Sequence, residues 1–196
     1  MSYEYKIYGR KKGRKKIISA DKDFFRNCKI NLDKDIKKNK KNILDVGSGS
    51  GENTLFLAKK NPNALIIAIE IFQDGNINLC NQLSNSKLNN VRLFSSNVLK
   101  LLDGLNKDSY FNEIWILFPD PWPKKKHYKR RLINDDFFIK VYPYLKKNGK
   151  IFIATDSSSY LKSIMNSIYK TKSLFHWLNN KPQNWIYEML DLPCTK

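Results

Sequence analysis

The chain is poor in the residues that build covalent or metal cross-links. It has three cysteines, Cys28, Cys80 and Cys194, and two histidines. They are widely spaced and form no CxxC pair, which argues against a disulfide framework or a zinc site and for a reducing compartment. Long apolar runs are also missing. None approaches the roughly 20 residues needed to span a bilayer, and the N-terminus Met1-Ser2-Tyr3-Glu4 has no apolar core of a leader, so a soluble cytoplasmic protein is expected. Acidic residues are scarce too: 18 against 36 Lys and Arg give a formal net charge of +18 and a pI near 9.8. A balance so far from neutral points to a polyanionic partner, either nucleic acid or an anionic membrane surface. Part of that charge belongs to a chain rich in Lys, Asn and Ile throughout. What indicates a partner is clustering, in Arg10 to Lys16 and again in Lys124 to Arg131. With 196 residues and 41% hydrophobic content, one core is the natural solution.

Residues 1–42 read as a basic arm, Gly9-Arg10-Lys11-Lys12 followed by Gly13-Arg14-Lys15-Lys16, leading into a helix. Asp21 caps that helix, and Phe24, Phe25, Cys28 and Leu32 share one apolar face. Lys34 to Asn42 is a charged connector. From residue 43 strand and helix patterns alternate: Ile43 to Val46, a glycine turn Gly47-Ser48-Gly49-Ser50-Gly51, a helix from Glu52 to Lys60, a strand at Ala64 to Ile71, and a helix over Gly75 to Ser86. Next come a strand at Val91 to Ser95, a helix at Val98 to Leu105 and a central strand at Ile114 to Phe118, expected to be buried on both faces. A helix over Asp135 to Leu145 should end on a glycine cap at Lys147-Asn148-Gly149, and Lys150 to Thr155 should be a fifth strand. Ser157 to Ser159 then caps a last helix carrying Tyr160, Leu161, Ile164, Met165 and Ile168. Such alternation predicts an α/β fold with right-handed crossovers and a mostly parallel sheet. Ligands in these sheets gather at the carboxyl ends of the strands, where Asp45, Glu70, Asn97, Asp120 and Asp156 fall.

The central strand runs into Phe118-Pro119-Asp120-Pro121-Trp122-Pro123. Three prolines remove three donors and fix three φ angles, so Asp120 and Trp122 sit on a stiff loop. Immediately after it comes the cationic run Lys124 to Arg131. A carboxylate, a flat ring and phosphate-seeking charge at one strand end suit a nucleic-acid base with its backbone gripped alongside. The glycine turn supports a nucleotide-like cofactor of a particular charge. A dinucleotide fingerprint wants a third glycine or alanine where this chain has Glu52, and a carboxylate there repels phosphate.

Asp45-x-Gly47-x-Gly49-x-Gly51 resembles the first motif of class I S-adenosylmethionine-dependent methyltransferases. Phe118-Pro119-Asp120-Pro121-Trp122-Pro123-Lys124 with His127, Lys129, Arg130 and Arg131 resembles the long F-P-D-P-W-x-K-x-x-H-x-K-R-R signature of the bacterial, single-chain tRNA (guanine-N7)-methyltransferases. Ile69-Glu70 and Ala154-Thr155-Asp156 resemble that family's I-E and A-T-D motifs. The resemblance implies a Rossmann-like three-layer sandwich. It also implies methyl transfer from S-adenosylmethionine to N7 of a variable-loop guanosine in tRNA, a monomer or homodimer, and no metal. It assigns Asp45, Gly47, Gly49, Glu70, Asn97 and Asp120 to the cofactor, with Asp120 also catalytic. Lys124, Asp156 and Thr195 go to the substrate, and Lys126, His127, Tyr128, Lys129, Arg130 and Arg131 to RNA. Asp120 and Asp156 remain alternative candidates for orienting the guanine. The family usually carries Glu at the position of Asp45 and often Asp at that of Asn97. Its C-terminal T-[KR]-[FY]-E motif breaks off at Thr195-Lys196, so residues 43–196 are expected to form a methyltransferase domain without its final antiparallel strand. Competing readings are an amino-group methyltransferase, suggested by the Asp-Pro-Trp loop, and an RNA-binding module without turnover.

Overall fold

The computed structural model describes residue 8, residues 22–37 and residues 40–179. The basic arm at Arg10 to Lys16, Asp21, Thr195 and the expected absence of a final strand all lie outside those residues.

Five strands form one all-parallel sheet in the order β3-β2-β1-β4-β5: β1 (Asn42–Val46), β2 (Leu65–Ile69), β3 (Val91–Phe94), β4 (Phe111–Leu117) and β5 (Leu145–Ala154). The helices are α1 (Lys22–Cys28), α2 (Leu32–Asp35), α3 (Glu52–Lys60), α4 (Gln73–Ser84), α5 (Val98–Asp103), α6 (Asp135–Val141) and α7 (Ser158–Lys170). β1 is buried along its whole length because it lies between β2 and β4 and has helices on both sides. Alternation along the strands sorts the core into two halves. Ile43, Ile66 and Ala68 face α1, α3 and α4 through Cys28, Leu57, Leu79 and Cys80. Leu44, Ile67, Ile114 and Ile116 face α5, α6 and α7 through Leu101, Phe137, Phe138, Tyr160 and Ile164. The chain winds outward from β1 through β2 to β3, then returns across the sheet to β4. The order therefore reverses between β1 and β4, and a crevice opens beyond the ends of those two strands. Among the described residues no helix is long and apolar enough to cross a membrane.

Three local expectations are corrected. β4 is not buried on both faces: Ile114 and Ile116 are buried, whereas Glu113, Trp115 and Leu117 are half-buried. On that side Trp115 stacks on Phe152, with ring centroids 4.1 Å apart, and its Nε1 donates to Glu113 Oε2 at 2.9 Å. The first helix stops at Cys28, because Ile30 donates its N–H to Leu93 O at 2.9 Å alongside β3. Leu32 begins a separate helix capped by Asn31. α6 ends at Val141, where Pro143 converts the chain to a short 3₁₀ turn over Tyr142–Tyr144. Lys147-Asn148-Gly149 is consequently not a helix cap. It lies within the span of β5, where the pairing with β4 slips register and Asn148 takes φ 63°. The basic run coils into a 3₁₀ helix at Lys125–Arg130.

Candidate active site

The glycine turn after β1 is left-handed at three positions, Gly47 (φ 76°), Gly49 (φ 56°) and Gly51 (φ 96°), a conformation that excludes most side chains. Gly47 and Ser48 donate their N–H groups to Ile69 O at 2.8 and 3.1 Å, which ties the turn to the end of β2. Beneath it lies Asp45, which accepts from Asn53 Nδ2 at 2.9 Å and Thr54 Oγ1 at 2.6 Å. It is buried and does not line the crevice, and its two bonds tie β1 to α3 beneath the turn. Burial pushes its carboxyl up to about 6; the bonds from Thr54 and Asn53 oppose the rise, and the charges of Glu70 and Glu52 add to it.

A carboxyl raised in the folded state binds its proton more tightly there than in the unfolded chain. Its contribution to stability is thus full below the ordinary value and is lost as pH rises through about 6. Replacing Asp45 with Asn should flatten the pH dependence of unfolding free energy between roughly pH 4 and 6. Urea melts across that window check this: the parent's unfolding free energy should change by on the order of 2 kcal/mol more than the variant's between those two pH values.

Glu70, at the end of β2, accepts from the N–H groups of Ile71 and Phe72 at 2.6 and 2.8 Å through Oε1, and from Gly49 at 2.9 Å through Oε2. These bonds fix the carboxylate across the rim of the glycine turn. Asn97 caps α5 by accepting from Leu99 N at 2.8 Å, while its amide nitrogen makes no hydrogen bond among the described residues. Beyond β4, Phe118 (φ 49°) and Trp122 (φ 43°) are both left-handed, a strained state for aromatic residues that clusters at functional sites. Between them Asp120 is exposed, and no other described residue hydrogen-bonds its carboxylate.

A cavity of about 800 Å³ joins these elements; Gly47, Glu70, Asn97, Phe118, Asp120 and Trp122 all reach its wall. That volume lies within the usual range for a small-molecule site. Lys129, Arg130 and Arg131 line it as well. Their environments differ sharply. Arg130 lies over the rings of Trp122 (4.9 Å) and Tyr8 (5.1 Å). Arg131, expected to meet RNA, is 4% exposed. Its Nε donates to Pro121 O at 2.8 Å, Nη1 to Ser163 Oγ at 2.6 Å and Ser159 O at 3.1 Å, and Nη2 to Ser159 Oγ at 2.8 Å. The guanidinium therefore belongs to the scaffold. Lys124, Lys126, Tyr128, Lys129 and Asp156 are exposed, and of these only Lys129 lines the cavity. Partial desolvation, then the charges of Arg130, Lys124 and Lys129, hold His127 below its ordinary value. Tyr8 was not anticipated from sequence, since a lone aromatic in an unpatterned arm carries no signal.

A parallel sheet with a β3-β2-β1-β4-β5 order, a glycine turn after β1 and a carboxylate at the end of β2 together define a class I methyltransferase fold. A family model described as "Putative methyltransferase" matches residues 39–190. The tRNA (guanine-N(7)-)-methyltransferase of Wolbachia pipientis wMel is 31% identical over 156 residues, 80% of this chain and 70% of the relative. The chain belongs to this methyltransferase family. The enzymes of the same name from Neisseria meningitidis serogroup C (strain FAM18) and Buchnera aphidicola subsp. Schizaphis graminum are each 34% identical, over 73% and 74% of this chain. The chain spans 60% of the length of each of these two relatives. Among solved structures, precorrin-6y C5,15-methyltransferase from Geobacter metallireducens GS-15 superposes with a TM-score of 0.53 at 17% identity, covering 68% of this chain and 63% of that one. It shares the fold.

Proposed function

We propose that this chain transfers a methyl group from S-adenosylmethionine to N7 of a guanosine in tRNA. The observation that carries the reading is a single cavity in which Glu70 and Asn97 face the Asp120 loop, with a cationic 3₁₀ helix continuing from its rim. The donor set fits a cofactor that has no phosphate and carries positive charge. The mouth of α3 holds Glu52 instead of an anion cradle, and Glu70 lies beside the glycine turn. When bound, S-adenosylmethionine supplies an electrophilic methyl on a sulfonium.

Glu70 has acceptor capacity left on Oε2 for a ribose hydroxyl, the amide nitrogen of Asn97 is available to an adenine acceptor, and Gly47 lets the backbone approach closely. Guanine N7 is an unprotonated ring nitrogen, so no side chain has to remove a proton from it, and positioning and electrostatics supply the rate. Asp120, with no partner among the described residues, is free to accept from guanine N1–H and the exocyclic amine. In that pose it also offsets the positive charge the purine acquires. Asp156 is the second candidate for this task, and Lys124 for a substrate contact. Lys126, Lys129 and the neighbouring exposed cations are suited to phosphate.

The test is transfer of a labelled methyl group to unmodified tRNA, followed by nucleoside identification. The expected product is 7-methylguanosine. Asp120→Ala should reduce turnover by at least about 100-fold while tRNA affinity stays within about threefold. A product methylated on an amino group, or an Asp120→Ala variant with parental turnover, overturns the reading.

A further inference from the structure

The loop after β4 carries two aromatic rings in left-handed backbone conformations; both line the cavity, and Phe118 is the more exposed. Trp122 is half-buried and engaged on several sides: the Arg130 guanidinium lies 4.9 Å from its centroid, and Tyr8 and His127 meet it edge-on at 6.4 and 5.9 Å. Phe118 is 50% exposed, lines the same cavity and lies two residues from Asp120. Its backbone is held at φ 49°, with its N–H donating to Ala154 O at 2.9 Å at the end of β5. Pro119 follows, and the residue before a proline is further restricted. Glycine would adopt this conformation without strain. An exposed phenyl ring kept in a disfavoured conformation at a cavity wall points to a use for the ring itself.

We propose that Phe118 is the platform on which the base to be methylated stacks, an inference that rests on the function proposed above. A flat apolar face fixes the plane of a purine but leaves it free to rotate within that plane. A carboxylate accepting along the N1–H and amino edge removes that freedom. In guanine, N7 lies on the neighbouring edge, past O6 from N1, so a ring face from Phe118 and an acceptor from Asp120 on N1–H and the amine together fix the direction of N7 and leave it uncovered. The adenine of the methyl donor is also a purine. However, the residues suited to hold it, Asn97 and Glu70, follow β3 and β2, and Phe118 follows β4.

The experiment compares Phe118→Gly, Phe118→Leu and Phe118→Tyr in the full chain. It follows methylation kinetics on unmodified tRNA, S-adenosylmethionine affinity by calorimetry, and thermal melting. Loss of base–aromatic stacking should lower kcat/KM for tRNA roughly 10- to 100-fold in the Gly and Leu variants, with Tyr within about threefold of the parent. Donor affinity should stay within about twofold in all three. The Gly variant should melt no lower than the parent, because removing the ring also relieves the backbone. A ring that merely packs the loop predicts the reverse, a lower melting temperature that tracks the loss of activity. Parental kcat/KM in the Gly and Leu variants overturns the platform while 7-methylguanosine formation by the parent keeps the wider reading intact. A parallel fall in donor affinity also overturns it, by assigning the ring to adenine. A parent that makes no 7-methylguanosine overturns both.

Discussion

Arg131→Ala should destabilise the protein by about 3 kcal/mol and cut methyl transfer at least about 100-fold, with tRNA affinity little changed. The guanidinium is 4% exposed and donates to four oxygens, one on the Pro121 carbonyl and the other three on Ser159 and Ser163 of α7. The ring of Tyr128 lies 3.7 Å and that of Tyr160 4.8 Å from it. No carboxylate pairs with it among its hydrogen-bond partners; neutral acceptors and ring faces replace its water. Truncation would leave the part-buried Pro121 and Ser159 carbonyls without this donor. Each such loss is worth roughly 1–3 kcal/mol, set against relief from burying a charge. The catalytic consequence follows from what Pro121 is attached to, since it immediately follows Asp120, and a loop displaced by about 1 Å can cost 100-fold in rate. Arg131→Lys should not restore function, because an ammonium on a flexible stem cannot bond Pro121 and α7 together as a planar fork does. Thermal melts and single-turnover kinetics check the prediction. For a chain of this size 3 kcal/mol corresponds to roughly 6–12 °C. A phosphate contact would give the opposite pattern: an unchanged melting temperature, with weaker RNA binding and a shallower salt dependence.

Arg131 also marks the boundary of what one sequence discloses. The strand ends bearing Glu70, Asn97 and Asp120 were legible, because buried β-branched runs stop at polar residues followed by helix caps and such ends converge in a parallel sheet. So were the glycine turn after β1 and the cap at Ser157, which accepts from Tyr160 N. These are local signals. Within the run from Lys124 to Arg131 every cation looks alike, and what singles out Arg131 is the arrival of α7, nearly 30 residues later, carrying Ser159 and Ser163. The surroundings of Asp45 were hidden for a similar reason. The sequence puts it at the strand end with the other carboxylates, but the pleat turns it toward Asn53 and Thr54 under the turn. The break between Cys28 and Leu32 and the half-open face of Trp115 likewise depend on neighbours distant in sequence, Leu93 and Phe152.

Gly75→Ala should weaken methyl-donor binding by at least about tenfold and lower the melting temperature, although alanine is the better helix former. Gly75 occupies the third position of α4, where replacing glycine by alanine ordinarily gains about 1 kcal/mol. Here an added Cβ would lie 2.3 Å from Gly49 O and 3.0 Å from Gly49 C, both backbone atoms with no rotamer into which to withdraw. Overpacking of this kind costs typically 1–3 kcal/mol and outweighs the propensity gain. The contact also ties α4 to the glycine turn on the Glu70 side of the crevice. Gly49 donates to Glu70, and Asn76, the residue after Gly75, donates through Nδ2 to Glu70 O at 3.0 Å. Moving α4 away from the glycine turn must therefore disturb the carboxylate rim from both ends. Gly47 offers the contrast: a Cβ there meets nothing within 4 Å, so its requirement for glycine is the φ of 76° alone. Calorimetric titration with S-adenosylmethionine alongside thermal melting separates the outcomes. A Gly75→Ala protein that melts higher and binds the donor as tightly as the parent would mean that α4 slides without consequence, and the close approach would lose its role in shaping the site.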